Sequence, residues 1–170
     1  MNLKELFEIQ AGLDFHIEKN HPPKEGEDRI QKKVLALQVE LGEFVNELPE
    51  VFKFWSYKKN NYEKALEEYI DGIHFFLSIG NYIGVNKEAE YGEGNTHKSV
   101  MTLLALINKN VADAWWHYSD NKKQDFGLAW LNGFNRYLWL GELLGFTEDM
   151  IVQAYLEKNS ENHRRQLESY

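Results

Sequence analysis

The spacing of apolar residues along this chain predicts an all-α bundle of five to six helices. Apolar side chains recur every three to four positions, as on one face of a helix, and no segment alternates convincingly as a half-buried strand would. Prolines and glycines interrupt this pattern, because both disfavour helix interiors. The predicted helices cover residues 3–19, 28–48, 62–82, 98–118, 122–144 and 148–167, the last with Thr147 as its N-cap.

Two connecting segments and one helix stand out. Residues 49–61 are predicted to be irregular and are rich in basic and aromatic side chains, whereas residues 85–97 form a polar loop. The helix 122–144 is apolar around much of its circumference, which indicates a central helix or a subunit interface. With 170 residues, of which 43% are hydrophobic, residues 1–170 are expected to form a single domain.

Two acidic pairs border the apolar stripes of the second and third predicted helices. Glu40 with Glu43, and Glu68 with Asp71, have i, i+3 spacing, so each pair projects two carboxylates from one helix face. Four carboxylates that converge between two helices would form an all-oxygen site, which is the donor set that Mg²⁺ prefers. The alternative is that these residues are ordinary solvated acids on amphipathic helices.

The bulk composition excludes several kinds of partner and site. The net charge of −8 argues against binding to a nucleic acid polymer, which requires a basic face. An acidic protein that handles phosphate would need a metal ion and a few local cations. The chain has no cysteine, so disulfides and thiolate metal sites are excluded. No apolar run approaches the length of a membrane span, and we expect a cytoplasmic protein without membrane contact.

Two further features could contact a substrate. Lys158, Asn162 and Arg165 fall at i, i+4, i+7 and form one stripe of the last helix, which suits phosphate oxygens and a sugar hydroxyl. The alternative is that these cations complement the dipole of a helix C-terminus. His74 lies one turn beyond Asp71, and because Mg²⁺ disfavours imidazole we expect a hydrogen bond to substrate or a core role.

The ordered motifs resemble a known family. The ExxE…ExxD layout and the closing KNxxNxxRQ pattern resemble the all-α nucleoside triphosphate pyrophosphatase superfamily, and most closely the dimeric dUTPases of its bacterial and phage-like branch. The matching stretches reach over almost the whole chain. They are residues 35–47, 52–56, 67–80 and 155–170, together with the IQAGLD segment near residue 10.

The resemblance implies a role for each candidate residue. It implies that Mg²⁺ is bound by Glu40, Glu43, Glu68 and Asp71. Glu43 would also orient or deprotonate the attacking water. Lys158 and Arg165 would hold phosphates, and Asn162 the 3′-hydroxyl of deoxyribose. Uracil would be enclosed by Gln10, Asp14, Trp55 and His74. One position departs from the family, since Leu13, followed by Asp14, stands where some members carry an amide.

The implied activity is Mg²⁺-dependent hydrolysis of dUTP to dUMP and pyrophosphate, with dUDP as a second substrate that releases phosphate. The resemblance also implies a homodimer that sanitises the nucleotide pool and supplies the precursor of dTMP. Two alternatives remain open. One is a related pyrophosphatase with another base preference, such as dCTP or a general house-cleaning role. The other is a helical interaction module without enzymatic activity, in which the acids form only a solvated face.

Overall fold

The structure is a computed structural model that describes residues 2–92, 94 and 96–168. Within these residues the chain folds into seven helices and has no strand, which confirms the predicted all-α architecture. In the same ranges, no helix is long and apolar enough to cross a membrane. The helices are α1 (Leu3–Asn20), α2 (Arg29–Asn46), α3 (Pro49–Phe52), α4 (Tyr62–Ile83), α5 (Val100–Ser119), α6 (Lys123–Leu143) and α7 (Glu148–Leu167).

The short helix α3 corrects the prediction that the whole 49–61 segment is irregular. Helix α2 ends at Asn46, and Pro49 then occupies the first turn of α3 instead of only stopping the preceding helix. Proline suits this position because its fixed φ is helical and its missing N–H would have no partner there. Residues 53–61 contain no helix, so the remainder of the segment is irregular as expected.

Side-chain caps define the ends of the helices that later carry the candidate site. Asp28 caps α2 and Asn61 caps α4, each by accepting a hydrogen bond from the backbone N–H three residues further on. Thr147 caps α7 in the same way, which confirms its predicted role. Helix α4 ends at Gly84, whose φ of 70° is the left-handed conformation that glycine adopts without a steric penalty.

Helix α4 occupies the centre of the bundle. It packs against α1, α2, α6 and α7, and its buried residues include Tyr69, Ile73 and Phe76. The apolar helix α6 packs chiefly against α5, and its Trp130 is buried in the core. The central position therefore belongs to α4, while α6 covers one side of it.

Two tyrosines lock α4 against α6. The rings of Tyr69 and Tyr137 stack with centroids 4.5 Å apart. Each hydroxyl donates to the backbone carbonyl of the other residue, over 3.1 Å from Tyr69 and 3.0 Å from Tyr137. Gly72 and Gly141 make this contact possible, because a Cβ on either would collide with a tyrosine hydroxyl. The contact fixes the rotation of α4 relative to α6.

The tyrosine lock predicts a large effect for one added methyl group. Gly72→Ala should lower the free energy of unfolding by about 1–3 kcal/mol, because it displaces the buried hydroxyl of Tyr137 from its acceptor. Gly12→Ala is the control, since a Cβ at this exposed helical glycine meets no atom within 4 Å. It should be neutral or stabilise by up to about 1 kcal/mol. Urea unfolding measures both, and equal midpoints for the two variants would contradict the lock.

Candidate active site

Three of the predicted acids converge between α2 and α4. Glu40 from α2 and Glu68 and Asp71 from α4 each place a carboxylate oxygen within 4.8 Å of the other two. All three side chains are half-buried. The cluster has the donor atoms of a hard divalent cation site, because every donor is an oxygen.

The paths of α2 and α4 explain this convergence. The backbone N–H of Asn61 donates to the carbonyl of Glu47 over 2.9 Å, which places the start of α4 beside the end of α2. The two helices therefore run antiparallel. Leu37 and Leu41 on α2 and Ile70 on α4 are buried around the acids, so the carboxylates lie at the border of the core.

Burial and mutual repulsion raise the pKa values of the clustered acids. The pKa of Glu40 rises to about 7, first through burial and then through the charges of Asp71, Glu43 and Glu68. The pKa of Glu68 rises through burial and the charge of Asp71. The pKa of Asp71 is also raised by burial, although a hydrogen bond from Lys158 opposes the shift. Three carboxylates with raised pKa values in one place indicate a site that favours an added cation.

Glu43 lies at the edge of this cluster. Its side chain is exposed, and it does not belong to the group of three carboxylates whose oxygens lie within 4.8 Å of one another. Its charge nevertheless raises the pKa values of Glu40 and Glu68, so it acts on both from nearby. The structure thus brings three of the four predicted acids together and places the fourth beside them.

Lys158 connects α7 to the acid cluster. Its Nζ lies 2.6 Å from Oδ2 of Asp71, and both side chains are mostly buried. The pair partly compensates the negative charge of the cluster and ties the last helix to α4. Through this contact helix α7 reaches the acid cluster.

A cleft of about 320 Å³ adjoins the cluster. Four helices contribute to its walls, and cationic, acidic and apolar side chains all face it. Glu40 and Asp71 belong both to the cleft wall and to the acid cluster. The lining residues are Gln10, Leu13, Asp14, Ile17 and Glu18 from α1; Arg29, Lys33 and Glu40 from α2; Asp71, His74, Phe75 and Ser78 from α4; and Asn162, Arg165 and Gln166 from α7.

The structure brings most of the predicted substrate residues to this cleft. Those that line it are Gln10, Asp14, His74, Asn162 and Arg165. Lys158 lies at the acid cluster. Trp55 does not line the cleft, because its side chain is 66% exposed in the segment after α3 and packs edge-on against Phe54.

The structure explains why Leu13 stands where some family members carry an amide. Leu13 is 2% exposed and belongs to the core, although it touches the cleft. Asp14, one residue later, presents its carboxylate to the cleft wall, where Ser78 Oγ donates to Oδ2 over 2.7 Å. Lys33 Nζ lies 3.7 Å from Oδ1 of the same carboxylate.

Lys33 and Ser78 are cleft residues that the sequence interpretation missed. Lys33 precedes Glu40 by seven residues, and Ser78 follows Asp71 by seven, so each lies on the helix face that carries the acid. This spacing was available in the sequence. Phe75 and Gln166 also line the cleft, but an aromatic residue in an apolar helix and an amide in a polar tail carry no comparable signal.

A histidine pair joins α1 to α7 beside the cleft. The Nδ1 atoms of His16 and His163 are 2.8 Å apart, and the rings stack with centroids 5.0 Å apart. One nitrogen must donate and the other accept, so the pair requires a neutral acceptor ring. Burial and the neighbouring His16 lower the pKa of His163, which favours that neutral form. The contact holds the two helices that face each other across the cleft.

Fold and cleft together define an all-helical protein with a carboxylate cluster beside a partly cationic cleft. The chain belongs to the dUTPase family, whose family model matches residues 2–170. A search of curated proteins found no match to this chain. Membership confirms the resemblance seen in the motifs and identifies the activity as that of a dUTP diphosphatase, a hydrolase of nucleotide metabolism that converts dUTP to dUMP and pyrophosphate.

Proposed function

We propose that dUTP hydrolysis by this enzyme depends on Mg²⁺ held by Glu40, Glu68 and Asp71, with Glu43 completing the site. The convergence of three carboxylates beside the cleft carries this proposal. The raised pKa values support it, because a divalent cation would relieve the repulsion that raises them. When bound, the ion would neutralise phosphate charge and lower the pKa of a coordinated water.

We assign to Glu43 the orientation or deprotonation of the attacking water. Its exposed side chain leaves room for a water molecule, whereas the three clustered acids are half-buried. Its charge acts on Glu40 and Glu68, so a water held by Glu43 would lie close to the cluster. A general base must reach its proton within hydrogen-bond distance, and an edge position satisfies this condition.

The cations of α7 are proposed to bind the phosphates. Lys158 is paired with Asp71 and Arg165 with Glu161, both over 2.6 Å. Phosphate oxygens would offer these cations charge-assisted hydrogen bonds of similar or greater strength. Asn162 lies between these two cations in the sequence and lines the cleft. It is proposed to bind the 3′-hydroxyl of deoxyribose.

The uracil base is proposed to lie against α1 and α4, near Gln10, Asp14 and His74. These residues line the cleft and offer both donors and acceptors to the edge of a base. Trp55 would join them only if the segment after α3 moves, since its ring is mostly exposed. We propose dUDP as a second substrate, because the same contacts apply to a diphosphate. A preference for another base, such as cytosine, is the alternative.

The proposed assembly is a homodimer that acts in the cytosol. Helices α5 and α6 pack together and leave large apolar side chains exposed, with Trp116 at 67% and Leu128 at 57%. An apolar surface of this kind typically marks an association site, and a two-fold dimer is the most common closed solution. We propose that the whole chain acts there as one domain, keeps dUTP low and supplies dUMP for dTMP synthesis.

The metal proposal predicts that Glu40→Gln and a matched control variant differ in stability and in their response to Mg²⁺. Added Mg²⁺ should raise the melting temperature of the wild type, because it binds the folded state only. Glu40→Gln should raise the melting temperature without metal, since it removes repelled negative charge, and should lose the response to Mg²⁺. Its kcat should fall by at least about 100-fold.

The control for this test is Glu67→Gln, which changes an exposed acid next to Glu68 on the same helix. It should keep both the wild-type activity and the response to Mg²⁺. Differential scanning fluorimetry with a Mg²⁺ titration measures the shifts. A Glu40→Gln variant that retains wild-type turnover would exclude the proposed metal site.

The phosphate proposal predicts different effects for two adjacent arginines. Arg165→Ala should reduce transition-state stabilisation by about 2–4 kcal/mol, measured as kcat/KM for dUTP. Arg164→Ala should stay close to the wild type, because Arg164 pairs with Glu168 and does not line the cleft. Both variants lose one i, i+4 ion pair, so the difference isolates the contact with substrate. Equal kcat/KM values for the two variants would contradict the phosphate contact. They would favour the alternative that the cations of α7 only complement the dipole of the helix C-terminus.

The assembly proposal predicts a particle of twice the mass of one chain. Light scattering at micromolar concentration should report this mass for the wild type. Trp116→Lys should shift the protein towards a monomer, because it places a charge in the apolar surface of α5 and α6. Tyr62→Lys, which changes another exposed aromatic residue outside these helices, should remain dimeric. A monomeric wild type would exclude the homodimer.

A further inference from the structure

One buried nitrogen beside the cleft has no hydrogen-bond partner among the described residues. It is Nε2 of His74, on a ring that is 6% exposed and stacks against Tyr155 with centroids 4.2 Å apart. His74 lines the cleft from α4. A buried polar atom without a partner is costly, which makes it a candidate for contact with a ligand. Whether Nε2 donates or accepts depends on the tautomer of the ring.

The orientation of Gln10 is set by Asp14. The amide nitrogen Nε2 of Gln10 donates to Oδ1 of Asp14 over 3.1 Å. The same carboxylate accepts from Ser78 and lies beside the ammonium group of Lys33. A carboxylate of this kind only accepts hydrogen bonds, so the reversed amide would place two acceptors against each other. The carbonyl oxygen of Gln10 must therefore point away from Asp14.

That carbonyl oxygen in turn sets the tautomer of His74. Oε1 of Gln10 lies 2.7 Å from Nδ1 of His74 and accepts from the hydroxyl of Tyr155 over 2.9 Å. A carbonyl oxygen cannot donate, so Nδ1 of His74 carries the proton. Burial, followed by the charge of Lys158, lowers the pKa of His74 to about 3. The ring is neutral, and Nε2 is left as an unprotonated acceptor.

We propose that Asp14, Gln10 and Tyr155 are positioning residues that hold His74 as a hydrogen-bond acceptor and thereby select uracil over cytosine. Uracil in a nucleotide has one N–H donor, at N3, whereas cytosine has a bare acceptor nitrogen at that position. An acceptor on the protein is satisfied by the first and repelled by the second. This inference rests on the proposed function, which places the base near His74.

We call this set of hydrogen-bonded side chains the relay. Its members come from helices that are far apart in the chain. Gln10 and Asp14 come from α1, His74 and Ser78 from α4, and Tyr155 from α7. Apart from Nε2 of His74, each polar group named here has a partner within the relay, and the polarity passes from the carboxylate of Asp14 through Gln10 to the ring. The hydroxyl of Tyr155 also lies 3.4 Å from the carbonyl oxygen of Leu6. Sites built around buried hydrogen-bonding groups can discriminate by about 10⁴–10⁵-fold, because a mismatch leaves those groups unpaired.

The first test is nitrogen-15 NMR of the histidine-labelled wild type at neutral pH. We expect His74 to show a protonated Nδ1 and a bare Nε2, in contrast to the Nε2–H form that free neutral imidazole side chains prefer. Binding of dUMP should shift the Nε2 resonance as it accepts a hydrogen bond, and binding of dCMP should not. A protonated Nε2 in the free enzyme would overturn the proposal without any variant.

The second test breaks the relay and measures base selectivity. Gln10→Met keeps the volume of the side chain but removes the acceptor from Nδ1, so the kcat/KM ratio of dUTP to dCTP should fall by at least about tenfold. Tyr155→Phe keeps the ring stack and should cause a smaller fall, because Asp14 still orients Gln10. Gln153→Met is the matched control. Gln153 also donates to an acid four residues on, Glu157, but it is exposed and does not line the cleft.

A third test removes the proposed hydrogen-bond donor from the substrate instead of the acceptor from the protein. A dUTP methylated at N3 lacks the proposed donor and should be turned over poorly by the wild type, whereas 2′,3′-dideoxy-UTP keeps it. A poor dideoxy compound alone would reflect the loss of the 3′-hydroxyl assigned to Asn162. If N3-methyl-dUTP is hydrolysed as well as dUTP, the proposal is wrong.

The outcomes separate this inference from the proposed function. A wild type that hydrolyses dUTP and dCTP equally well would refute the proposed base site itself. A wild type that prefers dUTP, with the same preference in Gln10→Met and Tyr155→Phe, would refute only the relay. Should Gln10→Met fail to fold, the tautomer of the wild type and the ratio in Tyr155→Phe decide the question.

Discussion

The rotation of α4 about its own axis is the constraint on which this site depends. Successive helical residues are offset by about 100°, so the side of α4 that carries Asp71 and His74 is fixed once the opposite side is packed. The reciprocal hydrogen bonds of Tyr69 and Tyr137 fix that opposite side. Rotating α4 would leave two buried hydroxyls without acceptors, at about 1–3 kcal/mol each. The acids and the relay therefore owe their positions to a contact in the core.

Electrostatics explain why an acidic chain can hold a phosphate substrate. The net charge of −8 repels polyphosphate at long range, and the clustered acids would add to this if they stood alone. Lys158 offsets part of their charge through Asp71, and Arg165 and Lys33 line the adjoining cleft. The site therefore combines a local demand for a cation with nearby cations, which are proposed to bind the phosphates. Short-range pairs of this kind are screened less by salt than the long-range repulsion.

Much of this architecture could be predicted from the sequence, because helical periodicity is a local property. The long helices and the acid pairs follow from spacings of three to four residues, and the Thr147 cap follows from the residue type at the start of a helix. The family departure at Leu13 and Asp14 was visible as well, but its meaning was not, since burial of Leu13 depends on neighbours from other helices. The position of Trp55 could not be predicted either, because the sequence of a loop does not determine how far its ring lies from the cleft.

The direction of hydrogen bonds is the property that the sequence conceals most completely. Gln10 and His74 could be named from their place in the motifs, yet an amide and an imidazole can each donate or accept. Their roles are decided only when Asp14 turns the amide and Tyr155 reinforces it from α7. Three helices must therefore be assembled before the cleft has a defined polarity. In the proposed relay, base selectivity is a tertiary property, whereas the acids proposed to bind metal can be recognised from two short motifs.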